Sequence, residues 1–124
     1  MKTYNFKARF ADGVEHDLKL TTIRARGKRQ PPVVGECIRR YTGMRTKKCR
    51  WLGDRFCKSV HPLRMDRRGH VFIQGSRITN LELLVLAVGD GFESISAFRE
   101  FFKTVHGLPF RGWLIIQNPR IKRS

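Results

Sequence analysis

Acidic residues are scarce in this chain. It holds 10 Asp and Glu against 26 Lys and Arg in 124 residues, a formal net charge of +16. Charge gained only for solubility does not explain such an excess, because self-repulsion costs stability. A polyanion is the expected partner, nucleic acid first. Long apolar runs are also missing. The longest covers residues 83–88, far below the roughly 18 residues of a membrane span. The first ten residues contain no continuous apolar segment, so no secretory signal is expected. Nor is there a basic amphipathic helix of the kind that lies on anionic bilayers, so no membrane partner is expected. Cysteine is sparse and odd in number: Cys37, Cys49 and Cys57 leave one thiol unpaired under any disulfide scheme, and reduced thiols in a cytoplasm are the simpler expectation. No C-x-x-C pair occurs, and Cys57 with His61 is the only close pair of potential ligands, so no metal site is expected. A P-loop, a G-x-G-x-x-G fingerprint and a Ser-His-Asp order are absent as well.

What is present is concentrated. Residues 24–50 carry ten basic side chains and one acid, Glu36. They are interleaved with Pro31, Pro32, Gly35 and Tyr41, a pattern of turns and an aromatic that points to a folded surface rather than a charged tail. The length fits one domain over residues 1–124 with one modest core, ending in a short basic tail at 118–124.

Residues 2–10 alternate, with Tyr4, Phe6, Ala8 and Phe10 on one side, and predict a half-buried strand. Residues 11–14 read as a turn. Residues 18–23 fit a short strand or a helix end equally well, and 24–35 read as loop because of Gly27, Pro31 and Pro32. Residues 36–41 predict a strand that turns Cys37, Arg39 and Tyr41 to one face. Residues 51–65 predict a long strand or two joined strands bent at Gly53-Asp54, and 71–73 a short one. The later part is helical. Thr79-Asn-Leu-Glu82 is a capping box, and Gly89-Asp90-Gly91 stops that helix. A second helix covers about 94–106, with Ile95, Phe98, Phe102 and Val105 recurring at helical spacing. Residues 113–116 close the pattern as a buried strand. The sum is an α+β fold, a mainly antiparallel sheet curled into a barrel with two or three helices on one side.

Three strings carry a family resemblance: Lys19-x-x-Thr22-Ile-Arg24, Pro-x-x-Gly-Glu at 32–36, and Tyr-Thr-Gly-Met-Arg-Thr-Lys at 41–47. Together with Asp90-Gly-Phe and Gly107-Leu-Pro-Phe-x-Gly112, they resemble an ASCH domain of the PUA-like superfamily over residues 3–117. The resemblance implies a small PUA-like β-barrel with flanking helices, a central cleft and RNA binding, in a bacterial or bacteriophage protein. It also implies two enzymatic alternatives. Acetylcytidine amidohydrolases of this superfamily use a lysine, a threonine and a later carboxylate, matched here by Lys19, Thr22 and Asp90, although the family has glutamate where this chain has aspartate. Other members resemble ribonucleases, with Tyr41 and Lys47 in the matching places. No cofactor is implied, save a divalent metal under the ribonuclease reading.

The residue chemistry leaves these roles open. Lys19, if desolvated or crowded by cations such as Arg24, Arg26 and Lys28, has a lowered pKa and serves as a base; otherwise it is a cation for phosphate. Thr22 is a nucleophile, a hydrogen-bonding hydroxyl or a β-branched strand residue. Tyr41 stacks on an unpaired base or sits half-buried at the rim. Lys47 stabilises charge on a cleaved phosphate or only contacts the backbone; extended geometry would set it beside Arg45. Asp90 orients Lys19 or is an ordinary turn residue. Arg24, Arg26, Lys28, Arg29, Arg39, Arg45, Lys48 and Arg50 form the expected nucleic-acid-binding set. The leading function is binding of RNA or another single strand in one basic cleft. The oligomeric state is not legible.

Overall fold

Strand β1 (Lys2–Phe6) buries Tyr4 and Phe6 and leaves Asn5 in solvent, as period-two alternation requires. The computed structural model describes residues 1–120; Lys122 and Arg123 of the expected basic tail lie outside them. The alternation does not continue to Phe10. Residues Ala8–Glu15 form helix α1, which buries Phe10, Ala11 and Val14. Those three recur with helical spacing, so they make one apolar stripe as a helix and would be split between two faces as a strand. The turn read at residues 11–14 lies inside this helix. Strand β2 (Thr21–Ala25) follows, taking over the start of the segment read as loop.

Strands β3 (Cys37–Thr42), β4 (Arg50–Met65), β5 (Val71–Ile73) and β6 (Ser76–Arg77) come next. Helices α2 (Asn80–Gly89) and α3 (Ile95–Val105) and strand β7 (Phe110–Gln117) complete the order. The expected capping box is formed: Thr79 Oγ1 accepts from Glu82 N and the Glu82 carboxylate accepts from Thr79 N, worth about 1 kcal/mol. Ser94 Oγ caps α3 by accepting from Ala97 N.

The seven strands make one mixed sheet. Long β4 organises it. Its first half pairs with β3 and its second half with β7 and β5. β1 lies parallel to β3, and β2 antiparallel to β7. The fold is therefore α+β, as expected, but the expected barrel is not closed: β1 and β2 form the two facing edges, and no backbone ladder joins them. Side chains span the gap instead. Arg24 donates to Asn5 O at 3.1 Å and Arg29 to Thr3 O at 2.7 Å. The two guanidinium groups lie on the Tyr4 ring, each 4.6 Å from its centroid. They bond carbonyls on the β1 edge that no strand pairs.

The core fills the space between sheet and helices. Phe92, Phe98 and Phe102 are almost fully buried, and their rings meet edge-on or tilted at 4.9–5.4 Å, the arrangement the ring quadrupole favours. No helix among the described residues is long and apolar enough to cross a membrane.

Candidate functional site

Two helix ends build the site. Helix α1 stops with His16 at its C-cap and Asp17 in the left-handed region, φ 59°. Leu18 N bonds Gly13 O and Asp17 N bonds Val14 O, the paired pattern of a Schellman motif. Lys19 N adds a further bond to Gly13 O at 2.9 Å, which turns the Lys19 side chain inward. Helix α2 ends the same way. Phe92 N bonds Ala87 O, Gly91 N bonds Val88 O, and Gly91 has φ 95°. Asp90 is the C-cap of that helix, so its carboxylate enters the interior beside Lys19. A Cβ on Gly91 would stand 3.0 Å from Phe10 Cδ1 and 3.2 Å from Lys19 Cδ, so glycine is required there by both backbone and space.

Lys19 and Asp90 are each about 5% exposed and joined Nζ to Oδ1 at 2.5 Å. Lys19 Nζ also donates to Thr21 O, and Thr21 Oγ1 donates to the same Asp90 oxygen, both at 2.7 Å. Among the described residues, no hydrogen bond reaches Asp90 Oδ2. Burial drives both partners toward neutrality. It pulls the Lys19 pKa below its ordinary value, with Arg24 adding to the effect and Asp90 opposing it. It lifts that of Asp90, against the pull of Lys19, Thr21 and Arg24. The direction expected for Lys19 is found, with desolvation as the principal cause and Arg24 the only contributor among the three cations named. A cation is also what the negative end of α2 attracts.

Thr22 is buried, and its Oγ1 accepts from Arg24 Nε at 2.9 Å, leaving the threonine proton free to be donated. Arg24 lies between the Tyr4 and Phe6 rings and Asn5 O; desolvation pushes its pKa down to about 10. Lys19, Thr22, Arg24 and Asp90 all line one cavity of about 250 Å³, walled by Phe6, Phe10, Phe92, Phe101, Phe102 and His106. The His106 pKa is lowered by burial and by the charges of Lys7 and Arg24. The arrangement offers an apolar, ring-lined slot with donors and one carboxylate at its end. A planar heterocycle with polar edges is the chemistry such a slot accepts.

Strand β2 fits closely against β7. Ala25 pairs with Gly112, where a Cβ would meet Arg24 O at 2.3 Å.

The other expected site residues are dispersed. Tyr41 is half-buried on the outer face of β3, with Cys37 and Arg39 as expected. Arg45, Lys47 and Lys48 are exposed in the connection between β3 and β4. That connection is a tight turn held by Thr46 and Gly43, not the extended segment that would align Arg45 with Lys47. Its Met44 N donates to Asn5 Oδ1 at 2.9 Å, which anchors it next to a cavity-lining residue. Arg39 faces Asp54 at 3.6 Å, and Arg50 is held by Glu15 at 2.9 Å. Arg29 braces the β1 edge, Arg26 lies over Trp113, and Lys28 is exposed. The cations of residues 24–50 thus do not meet in a single hollow. Among the described residues, no group of three or more His, Cys, Asp or Glu converges to hold a metal.

Sequence reasoning missed Phe101 and His106 in the cavity wall and Thr21 behind it, where its hydroxyl donates to Asp90. Thr21 had a signal, adjacency to Thr22 in a strand, but alternation places the two on opposite faces, and only the inward Asp90 carboxylate makes both useful. It also missed Arg40, which is fully buried and donates to Gly53 O, Leu52 O and Gln117 Oε1; desolvation takes its pKa to about 10. No family model, no curated protein and no solved structure matches this chain.

Proposed function

We propose that the protein is an ASCH-like, PUA-type module that takes a nucleobase of RNA or another single strand into the cavity between β1, β2 and α3. One observation carries the reading: Lys19, Thr22, Arg24 and Asp90, from two distant parts of the sequence, converge at the end of an aromatic-walled cavity of about 250 Å³. Ring walls favour a planar base by stacking, worth about 1–3 kcal/mol. Arg24 and Lys19 donate to its carbonyl edge, and Asp90 Oδ2 accepts from an exocyclic amine. Phosphates on the bound strand find cations on the surrounding surface.

A titration with nucleosides and short single-stranded RNA, followed by amide chemical shifts in solution, tests this. Shifts confined to residues around Thr22, Arg24 and Phe92 are expected, with affinity lost at least tenfold in Lys19→Met. Absence of shifts with every nucleoside and oligonucleotide removes the reading.

A second reading rests on the lowered Lys19 pKa and the hydrogen-bond polarity at Thr22. Here the bound base carries an acyl group on its exocyclic nitrogen. The neutral Lys19 amine accepts a proton from Thr22 or from water, and the oxygen attacks the acyl carbon. The C–N bond then breaks, and Lys19 returns the proton to the departing nitrogen; where Thr22 attacked, a water deprotonated by Lys19 then hydrolyses the acyl-threonine ester and restores the hydroxyl. Net hydrolysis consumes one water and releases a carboxylic acid and the free amine. Release of cytidine from acetylcytidine, abolished in Lys19→Met and in Thr22→Val, is the expected outcome. Wild-type protein that binds acetylcytidine without cleaving it leaves the binding module alone. The ribonuclease alternative with Tyr41 and Lys47 has less support, because neither residue lines the cavity.

A further inference from the structure

A second basic surface lies away from the cavity. Across the sheet, Arg111 of β7 stands directly opposite Arg64 of β4, Arg64 opposite Phe72 of β5, and Phe72 opposite Arg77 of β6. Arg26, just past the end of β2, joins the row through its N–H bond to Arg111 O at 2.9 Å. All four arginines are exposed. Among the described residues, none of them has an acidic partner within salt-bridge distance, whereas Arg39, Arg50 and Arg55 each do. Arg64 and Arg111 are like charges directly opposite on the sheet, an arrangement that costs stability and that a bound anion relieves.

Two of the arginines are already set in place. Arg26 lies over the Trp113 ring at 4.6 Å, and Arg64 over the Phe72 ring at 3.7 Å. Stacking holds each guanidinium plane flat and leaves its outer face open. Between Arg26, Arg64 and Arg111 is a shallow groove of about 160 Å³ with Pro62 and Phe72 in its floor. With strands about 4.8 Å apart, the row extends about 19 Å, enough for several consecutive nucleotides.

We propose that the Arg26–Arg111–Arg64–Arg77 row is a track for single-stranded nucleic acid, its guanidinium groups contacting phosphates and stacking against unpaired bases. An anionic bilayer fits less well, because membrane-binding faces project apolar side chains beyond their cations, and here the rings lie beneath them. The inference goes beyond the cavity reading and stands without it. Only Ala25 separates Arg26 from cavity-lining Arg24, so a strand on the track passes close to the cavity mouth.

Fluorescence anisotropy with a short labelled oligouridine, across a salt series, tests the track. Arg64→Ala/Arg111→Ala is expected to weaken binding at least tenfold and to reduce the salt slope by about 1.4, at −0.7 per lost contact. Lys58→Ala/Lys103→Ala removes the same charge from exposed positions elsewhere and is expected to change affinity less than threefold. Arg64→Gln/Arg111→Gln, which keeps an unbranched polar side chain without the charge, serves if the alanine variant fails to fold by circular dichroism. Equal losses in the track and control variants would overturn the proposal, as would no binding by the wild type. So would arginine-dependent binding to phosphatidylserine vesicles without binding to the oligouridine. Lys19→Met in the same assay separates the two sites: the track is supported if this variant keeps the oligouridine while losing nucleosides, and failure of nucleoside binding alone counts only against the cavity.

Discussion

Asp17 and Asp90 sit one position apart in the same kind of helix end, Asp17 just past the cap of α1 and Asp90 at the cap of α2, and they behave oppositely. Each ends a helix in a Schellman motif, and each faces a cation at the negative end of that helix. Asp17 is partly exposed and meets Arg55 Nε at 2.9 Å and the backbone N–H of Arg120 at 2.8 Å. Burial alone would raise its pKa, but these donors hold it below the ordinary value. Asp90 is buried, and there desolvation outweighs Lys19 and Thr21 and raises the pKa. The same residue type at the same local motif is a structural anchor in one place and a poised carboxylate in the other. Solvent access decides which.

The comparison breaks most sharply at the buried pair. Asp90→Ala leaves the Lys19 ammonium without its carboxylate and is expected to lower stability by about 3–5 kcal/mol, read from the urea midpoint. Asp17→Ala, in contact with solvent, is expected to cost about 2 kcal/mol through its lost charge-assisted hydrogen bonds. A larger loss for Asp17 would reverse the assignment.

The motif residues differ too. Gly91→Ala introduces a methyl against Phe10 and Lys19 at a φ of 95° and is expected to cost about 2–3 kcal/mol. It also displaces Lys19, so nucleoside affinity falls with it. Position 17 carries a side chain at φ 59°, a region aspartate enters more readily than most residues, and that side chain bonds Arg55. Asp17→Gly thus relieves backbone strain while losing the ion pair, and a thermal melt is expected to place it nearer the wild type than Asp17→Ala.

Acid titration gives the two aspartates opposite signs. Asp17 has a folded pKa below 3.8, so the stability it provides is complete above 3.8 and is lost as pH falls through the folded value. Asp90 has a folded pKa above 3.8, so its unfavourable contribution is full above the folded value and disappears as pH falls to 3.8. Urea midpoints from neutral pH downward should therefore flatten in Asp17→Asn and steepen in Asp90→Asn, relative to wild type. Parallel curves would show that the two sites do not differ.

The smallest effect is expected at Lys47→Ala. This exposed side chain in the β3–β4 turn contributes less than about 0.5 kcal/mol to stability. A drop beyond 1 kcal/mol in the same urea assay would mean that the turn carries more of the fold than its exposure indicates.

Much of this architecture was readable from residue order. Thr79 and Glu82 specified the start of α2 through a local hydrogen-bond exchange, and Gly91 specified its end. The alternation of β3 put Tyr41 outward, and by the same rule put Arg40 inward. That second consequence went unread because an arginine is rarely buried; only the carbonyls of Leu52 and Gly53, brought opposite by β4, make its burial tolerable. Phe10 belongs to two patterns at once, the alternation of Tyr4, Phe6 and Ala8 before it and the helical stripe with Ala11 and Val14 after it, and only the packing of α1 chooses between them. The barrel was expected from the order of strands and helices and from the family resemblance, yet closure depends on whether two edges reach backbone distance, and here arginine side chains fill the gap.

Sequence by itself determined the charge excess, the helix caps and the strand faces, since these follow from composition and from hydrogen bonds between near neighbours. Tertiary structure alone decided which cations are paired, buried or free. Lys19 and Asp90 are 71 positions apart, and Arg64, Arg77 and Arg111 belong to three strands with no common motif. Whether a charge is costly, neutralised or available depends on what folding sets around it, and the local chain carries no record of that.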